Sequence, residues 1–274
     1  MKTFPACLRR WAMVLLPLSL LSLTLASSPV AARELCKNLL ATGNPEYPPY
    51  LWRDPEDENK LIGANADFMQ ALARELGVSI EVRYMGPWGR VQEEAKLGRL
   101  DLLAGAFFTL PRLDYMDYFY PAFRETRTVL WMPSTSSLNF KKWPDLISKQ
   151  GVTVINNSFG EDFDRYAKES LKINMVPSLE QAIKMLSMYR ADYLIYEEDP
   201  GLAYVAKMNI TGLKTSAVAV ASENLYVTMA HKSACNTAEF RGRLSKAIYT
   251  LTKQGVMNKF ITQNIQLWRK QQAK

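Results

Sequence analysis

The sequence predicts an α/β protein built on mainly parallel sheet, arranged as two units in one chain. Three observations carry this. Between residues 38 and 104 short apolar strands alternate with helical repeats, in the strand, helix, strand, helix, strand order of βαβ units. The same alternation restarts at Gly151 and runs to Tyr196. A last strand and amphipathic helix follow, with no Gly/Ser-rich linker, low-complexity tract or fixed-period repeat anywhere between.

Residues 38–42 read as a short apolar strand, followed by the turn-rich run Gly43-Asn44-Pro45-Glu46-Tyr47-Pro48-Pro49-Tyr50 and a charged hairpin tip over 54–60. Phe68, Leu72 and Leu76 recur every four residues, and Gly77 stands where a helix C-terminus favours it. Alternation of branched residues marks a strand over 78–85; residues 91–97, closed by Gly98, form a second helix, and 100–104 a second buried strand. In the second unit 151–155 is a strand. Ser158-Phe159-Gly160-Glu161 has the spacing of a capping box, as does Ser178-Leu179-Glu180-Gln181 ahead of Ile183 and Leu186. Residues 192–196 and 225–230 are strands, and Phe240, Leu244, Ile248 and Leu251 line one face of a helix that stops at Gly255.

The composition fits these elements. With 48% hydrophobic and 22% charged residues among 274, the chain has ample core material and is neither disordered nor fibrous. Its formal charge of +7 shrinks once the N-terminus is considered. Lys2, Arg9 and Arg10 precede an uncharged stretch over 11–26, and Val30-Ala31-Ala32 offers small residues at the −3 and −1 positions. This is the layout of a secretory signal peptide, 1–32, cleaved after Ala32. A membrane anchor fits less well, because the stretch is broken by Pro17 and is shorter than the roughly 20 residues a span needs. The mature chain would carry 31 basic and 27 acidic residues, a net +4, with the two signs interspersed. Nucleic acid is therefore not an expected partner.

Cys36 and Cys235 remain in the mature chain, and in an exported protein their pairing is the default. Arg33, Glu34 and Leu35 ahead of Cys36 supply no lipobox, so lipid anchoring is not expected. Much enzymatic chemistry is excluded. His231 is the single histidine, and H-E-x-x-H, C-x-x-C, G-x-S-x-G and phosphate-cradling glycine loops are all missing. No metal and no cofactor is expected. What stands out instead is Tyr47, Tyr50 and Trp88 in loops beside strands, and Arg112 after the strand-end run Gly105-Ala106-Phe107-Phe108-Thr109-Leu110-Pro111. Open α/β sheets bind ligands at carboxyl strand ends, where a guanidinium can hold a carboxylate through two parallel hydrogen bonds.

These motifs, in order, resemble the bacterial extracellular solute-binding proteins of the polar amino-acid transport type. The resemblance spans the mature chain. It rests on Thr42-Gly43 through Tyr50, Gly63 through Phe68, Pro87-Trp88, Asp101 through Thr109 with Arg112, Tyr120-Pro121, Gly151 through Ser158, and Arg190-Ala191-Asp192. It implies the two-lobed type II periplasmic binding fold with two hinge crossings: lobe 1 over 33–130 and 221–274, lobe 2 over 131–220. It also implies a Cys36–Cys235 disulfide inside lobe 1. Arg112 would clamp a ligand carboxylate, helped by backbone at Gly105 and Phe107 and by Asn157 and Ser158 at a helix N-terminus. Tyr47, Trp88 and, beside them, Tyr50 would wall the ligand, and Glu197 would meet its amino group. Two positions depart from the family pattern, which favours threonine where Phe107 stands and aspartate where Glu197 stands, with Glu198 and Asp199 as alternative acids.

The expected function is capture of an amino acid or similar small polar solute in the periplasm. Delivery would be to an ABC permease, by a monomer that is not an enzyme. A periplasmic enzyme on the same scaffold, resembling cyclohexadienyl or arogenate dehydratase with Glu197 as its acid, is the alternative; a ligand-sensing subunit of a membrane receptor is a third.

Overall fold

The computed structural model describes residues 36–272, and the expected signal segment with its cleavage site lies outside the described residues. The first strands are β1 Asn38–Thr42, β2 Glu46–Tyr47, β3 Leu51–Arg53 and β4 Leu61–Ile62. Helix α1 Ala64–Leu76, β5 Ser79–Val82, α2 Trp88–Leu97, β6 Leu102–Phe107 and the long β7 Met116–Pro133 follow. Next come β8 Gln150–Val154, α3 Glu161–Ser170, β9 Lys172–Val176, α4 Leu179–Ser187, β10 Tyr193–Glu197, α5 Glu198–Lys207 and β11 Leu213–Thr215. The chain closes with β12 Ala221–Ala230, α6 Ala238–Lys253 and α7 Val256–Gln272.

One continuous sheet runs in the order β5-β1-β6-β12-β7-β10-β8-β9, with β11 paired to β7, while β2, β3 and β4 form a small separate sheet. β5, β1 and β6 are mutually parallel, and so are β10, β8 and β9. Antiparallel β12 and β7 join the two sets. β7 makes the junction. It pairs with β12 from Met116 to Thr128 and with β10 from Thr128 to Trp131, so Thr128 faces Ala221 on one side and Glu197 on the other.

Each parallel set carries its own core on both faces. Leu39, Phe68, Leu72, Leu102, Leu244 and Ile248 pack on one side of the first set, and Val91, Leu103 and Met116 on the other. Along β10, Leu194 and Tyr196 join Val152, Ile183 and Leu186, whereas Tyr193 and Ile195 join Leu130, Phe140 and Phe163. This is the two-residue period of a strand buried on both faces. The result is a two-lobed α/β molecule with β7 and β12 crossing between the lobes. Cys36, just before β1, is bonded to Cys235, just before α6, with Cα atoms 5.5 Å apart, and both sit in the first lobe's core.

α1 ends as its sequence suggests. Gly77 takes φ +67°, and the N–H groups of Gly77 and Val78 close on the carbonyls of Arg74 and Ala73. Ser178 caps α4 by accepting from Gln181 N at 3.2 Å. Ser158 does not cap α3. Gly160 occupies the cap, and the Ser158 hydroxyl donates to Asp164 instead, because that carboxylate reaches back over the preceding loop. The strand expected over 78–85 is limited to Ser79–Val82, and α2 begins at Trp88 rather than residue 91. Trp88 is thus helical and Tyr47 lies in β2, not in loops. The short β2 pairs with β3, which the Pro-rich flanks conceal in the sequence. None of the helices of the described residues is long and apolar enough to cross a membrane.

Candidate functional site

The carboxyl ends of the parallel strands in the two lobes face one another, and the expected site residues gather there. β6 ends at Phe107, after which a 3-10 turn, Leu110–Asp114, returns the chain toward the strand end. This brings Arg112 Nη1 to 2.8 Å from the Phe107 carbonyl, where it donates a hydrogen bond, and places the guanidinium carbon 5.4 Å from the centre of the Trp88 ring. Tyr118 Oη donates to the same carbonyl at 2.6 Å. Arg112 is only 5% exposed, and among the described residues no carboxylate lies within ion-pair distance of it. A buried cation without an anion is costly, so the geometry holds it ready for one.

Gly105 shapes the floor. Its φ of +116° is strained for any L side chain, and a Cβ there would stand 2.9 Å from both Asn65 Nδ2 and a Leu225 methyl. The bare strand lets α1 approach, and Asn65 Nδ2 donates to Ala104 O at 2.6 Å. Across the cleft, Asn157 and Ser158 lie between β8 and α3, in a loop that Asp164 ties down by accepting from Phe159 N at 2.9 Å. Glu197 ends β10 and immediately precedes α5, 3% exposed. Burial pushes its carboxyl up to about 8, which the hydrogen bond from its own backbone N–H and the positive charge of Arg112 only partly counter. Tyr47 Oη, Asn65 Oδ1, Asn157 Nδ2 and Glu197 Oε2 are buried with no hydrogen-bond partner. Four such orphans around one cavity are a sign of a polar occupant.

Tyr47, Trp88, Gly105, Phe107, Arg112, Asn157, Ser158 and Glu197 all line one cavity of about 30 Å³. On that lining Arg112 is the one base and Glu197 the one acid. Tyr50 stands apart. It is fully buried behind Tyr47, their rings 5.1 Å apart, and its hydroxyl donates to Asp199 Oδ2 at 2.5 Å while accepting from Arg124 Nε at 3.3 Å. Glu198 is likewise engaged, with Arg127 Nη1 at 2.5 Å. Both alternative acids are therefore committed to partners, leaving Glu197 on the cavity.

Asn44, Leu51, Asn65, Ala104, Ala106 and Leu225 line the cavity too and were not expected. A signal existed for Asn65, an amide on the same helical face as Phe68, Leu72 and Leu76, where a core residue would be the default. The others are apolar or sit in turns and carry none. Hydrogen bonds draw the lobes together around the cavity: Gln92 Nε2 to Asn156 O at 3.2 Å, Leu110 N to Glu161 Oε2 at 3.1 Å, and Leu179 N to Glu46 Oε2 at 3.0 Å. An outer groove of about 610 Å³ shares Arg112, Asn157 and Ser158 with the cavity. Among the described residues no cluster of His, Cys, Asp and Glu could hold a metal ion.

The model of the bacterial extracellular solute-binding proteins, family 3, matches residues 40–266. A comparison of the sequence with curated proteins gave no match. Among solved structures, a histidine kinase sensor domain with similarity to periplasmic binding proteins superposes with a TM-score of 0.71 at 19% identity, covering 84% of this chain and 97% of that one. The arginine-bound substrate-binding protein of an amino acid ABC transporter from Streptococcus pneumoniae gives 0.69 at 19% identity, covering 87% and 98%. An ancestral arginine-binding protein bound to glutamine gives 0.67 at 20% identity, covering 82% and 96%. At these identities the likeness establishes the two-lobed type II fold, and the family match spans both lobes. The chain belongs to the bacterial extracellular solute-binding proteins of family 3.

Proposed function

We propose that this protein captures a small zwitterionic solute, an amino acid without a charged side chain, in the periplasm and delivers it to an ABC permease. The observation that carries the reading is the buried Arg112 guanidinium, without an anion and facing a cavity whose opposite wall holds Glu197 with its Oε2 unpartnered. A carboxylate at Arg112 and an ammonium at Glu197 would complete both groups at once. The structural neighbour from Streptococcus pneumoniae is bound to L-arginine, a ligand with a second cation. Here Glu197 is the single acid on the lining, so a cationic side chain would find no second carboxylate there, only the Tyr47 and Trp88 rings and the Asn44 and Asn65 amides.

In this reading lobe 1 comprises 33–130 and 221–274 and lobe 2 comprises 131–220. The chain works as a monomer exported by a signal peptide cleaved after Ala32. Ligand enters when the lobes part and is held when they close, its differential affinity for the closed form supplying the driving force. Binding residues are Tyr47, Trp88, Gly105, Phe107, Arg112, Asn157, Ser158 and Glu197, with Tyr50 supporting Tyr47 from behind. The cavity of about 30 Å³ has room for about two waters, so the bound form keeps the lobes wider apart than in this closed state.

A thermal-shift screen of the mature protein against the twenty L-amino acids, polyamines and small carboxylates tests the proposal. Stabilisation of about 2.7 kcal/mol is expected at a hundredfold excess over Kd for at least one neutral amino acid. A response confined to polyamines or dicarboxylates would contradict it. One observation favours a second reading: a buried carboxyl held protonated near neutral pH is what a general acid requires. Incubation with arogenate or prephenate, followed for loss of the hydroxyl and carboxyl groups, decides for the dehydratase alternative if turnover is seen.

A further inference from the structure

We propose that capture of an ammonium-bearing ligand expels one proton from the protein, the one held by Glu197, so that affinity depends on pH. The inference rests on the zwitterion reading above and adds its coupling to protons. Its geometric basis is the isolation of Glu197. The carboxyl ends β10 deep in the cleft, Oε2 meets no donor, and neither Arg112 nor any other cation among the described residues lies within ion-pair distance.

The charged and titratable groups around it are committed elsewhere. On α5, Glu198 is paired with Arg127 of β7, and Asp199 with Tyr50 and Arg124. On β2, Glu46 accepts from Leu179 N. Tyr47 and Tyr196, on β2 and β10, are buried phenols whose own ionisation is pushed far up by burial and by Glu197, so they stay neutral. Arg112, on the 3-10 turn, is bonded to Phe107 O and is the cation the ligand carboxylate needs. Asp164, below the Asn157-Ser158 loop, is bonded to Ser158 and Phe159 N.

In this closed cleft an ionised Glu197 would thus be a desolvated anion with Oε2 unpartnered and no cation beside it. The carboxyl holds its proton instead, burial raising it to about 8 against the lowering by its own backbone N–H and by Arg112. An arriving ammonium reverses this balance. It offers the missing opposite charge, the carboxyl ionises, and its proton leaves to bulk buffer while the ligand keeps all of its own. A threonine or backbone acceptor at this wall would give no such exchange. The specificity that follows is for ligands carrying a fixed positive charge at this end, with affinity rising toward mildly alkaline pH.

Calorimetric titration in two buffers of different ionisation enthalpy, phosphate and Tris, counts the protons. The probes are the twenty L-amino acids, taken singly, and for any that bind the α-hydroxy acid of the same side chain. At about pH 6.5 the amino acid is expected to release about one proton, and its affinity to rise about tenfold per pH unit up to about pH 8. The hydroxy acid is expected to release none. Glu197→Gln should bind the amino acid more weakly, with flat pH dependence and no proton release; circular dichroism checks its fold, and Glu197→Asp offers a second variant. Amino-acid binding to wild type without proton release would overturn this inference and leave the functional reading intact. Failure of all twenty to bind would overturn both.

Discussion

Arg112 is the most telling residue of the cleft, because a buried guanidinium is rarely left without an anion. Arg112→Ala should weaken the best ligand by about 2 to 5 kcal/mol, and Arg112→Lys should not restore it, since an ammonium lacks the two parallel donors of the planar fork. Arg83, an exposed residue paired with Glu81, provides the control, and its alanine variant should bind as wild type does. Calorimetry of the three variants measures this. Glu197 makes a separate, ligand-free prediction. Its carboxyl is raised from an ordinary 4.5 to about 8, so between those values the folded chain keeps a proton that the unfolded chain has lost. The stability this gives is complete below about pH 4.5 and is lost as pH rises through about 8, by up to about 1.4 kcal/mol per unit. Glu197→Gln cannot lose a proton, so its melting temperature relative to wild type should climb from pH 5 to 8. Parallel melting curves would contradict the assignment. Much of the cavity was legible in the sequence, because Arg112, Trp88, Gly105 and Phe107 stand at or beside a strand end. Tyr50 misled, since an aromatic in a turn can equally well turn inward to meet an acid such as Asp199.

Elements with a clear period were the readable ones. α1 and α6 show apolar residues at helical spacing with an ending glycine or cap, and both were expected where they lie. β7 leaves no legible period in the sequence because its environment changes along its length. Charged Arg124, Glu125 and Arg127 sit where the strand passes between lobes, and only Thr128–Pro133 are continuously buried, so no two-residue period survives. α7 was missed because its buried face is carried by Met257, Ile261, Asn264 and Trp268, a stripe diluted by glutamine and asparagine. This helix matters to the packing. Asn264 Nδ2 donates to Asp67 on α1 at 2.6 Å, whereas Trp268 lies against Trp52 and Tyr204, ring centres 5.4 and 5.9 Å away, within the second core. Trp268→Ala should therefore cost about 3 to 5 kcal/mol in urea unfolding, and a loss under about 1 kcal/mol would show that α7 is dispensable. The Cys36–Cys235 bridge closes a loop of 199 residues, for which chain entropy gives about 5 kcal/mol. The Cys36→Ser, Cys235→Ser double variant should unfold at markedly lower denaturant, as equilibrium unfolding will show.

For the whole molecule, two cores are joined by β7 and β12, and also by Trp52 of β3 and Trp268 of α7, which reach from the first lobe's chain segments into the second core. Around the cavity the cross-lobe bonds are polar, from Gln92, Leu110 and Leu179, between Asn44 and Tyr196, and between Tyr50 and Asp199, so water can replace them when the lobes part. The apolar contacts of Trp268 with Trp52 and Tyr204 lie outside the cavity. That division of labour explains why the cavity walls come from both lobes, Arg112 from one and Glu197 from the other. Neither lobe alone presents both charges, and a ligand that joins them also holds the lobes together. The central claim is thus that the cleft holds a zwitterion by both ends. Its most direct test is the affinity of the best-binding amino acid beside that of its decarboxylated amine and its deaminated acid, measured by calorimetry at one pH. Loss of either end should cost on the order of 2 to 5 kcal/mol, at least about 30-fold in Kd. If the amine or the deaminated acid bound within about threefold of the amino acid, the two-ended clamp between Arg112 and Glu197 would be wrong.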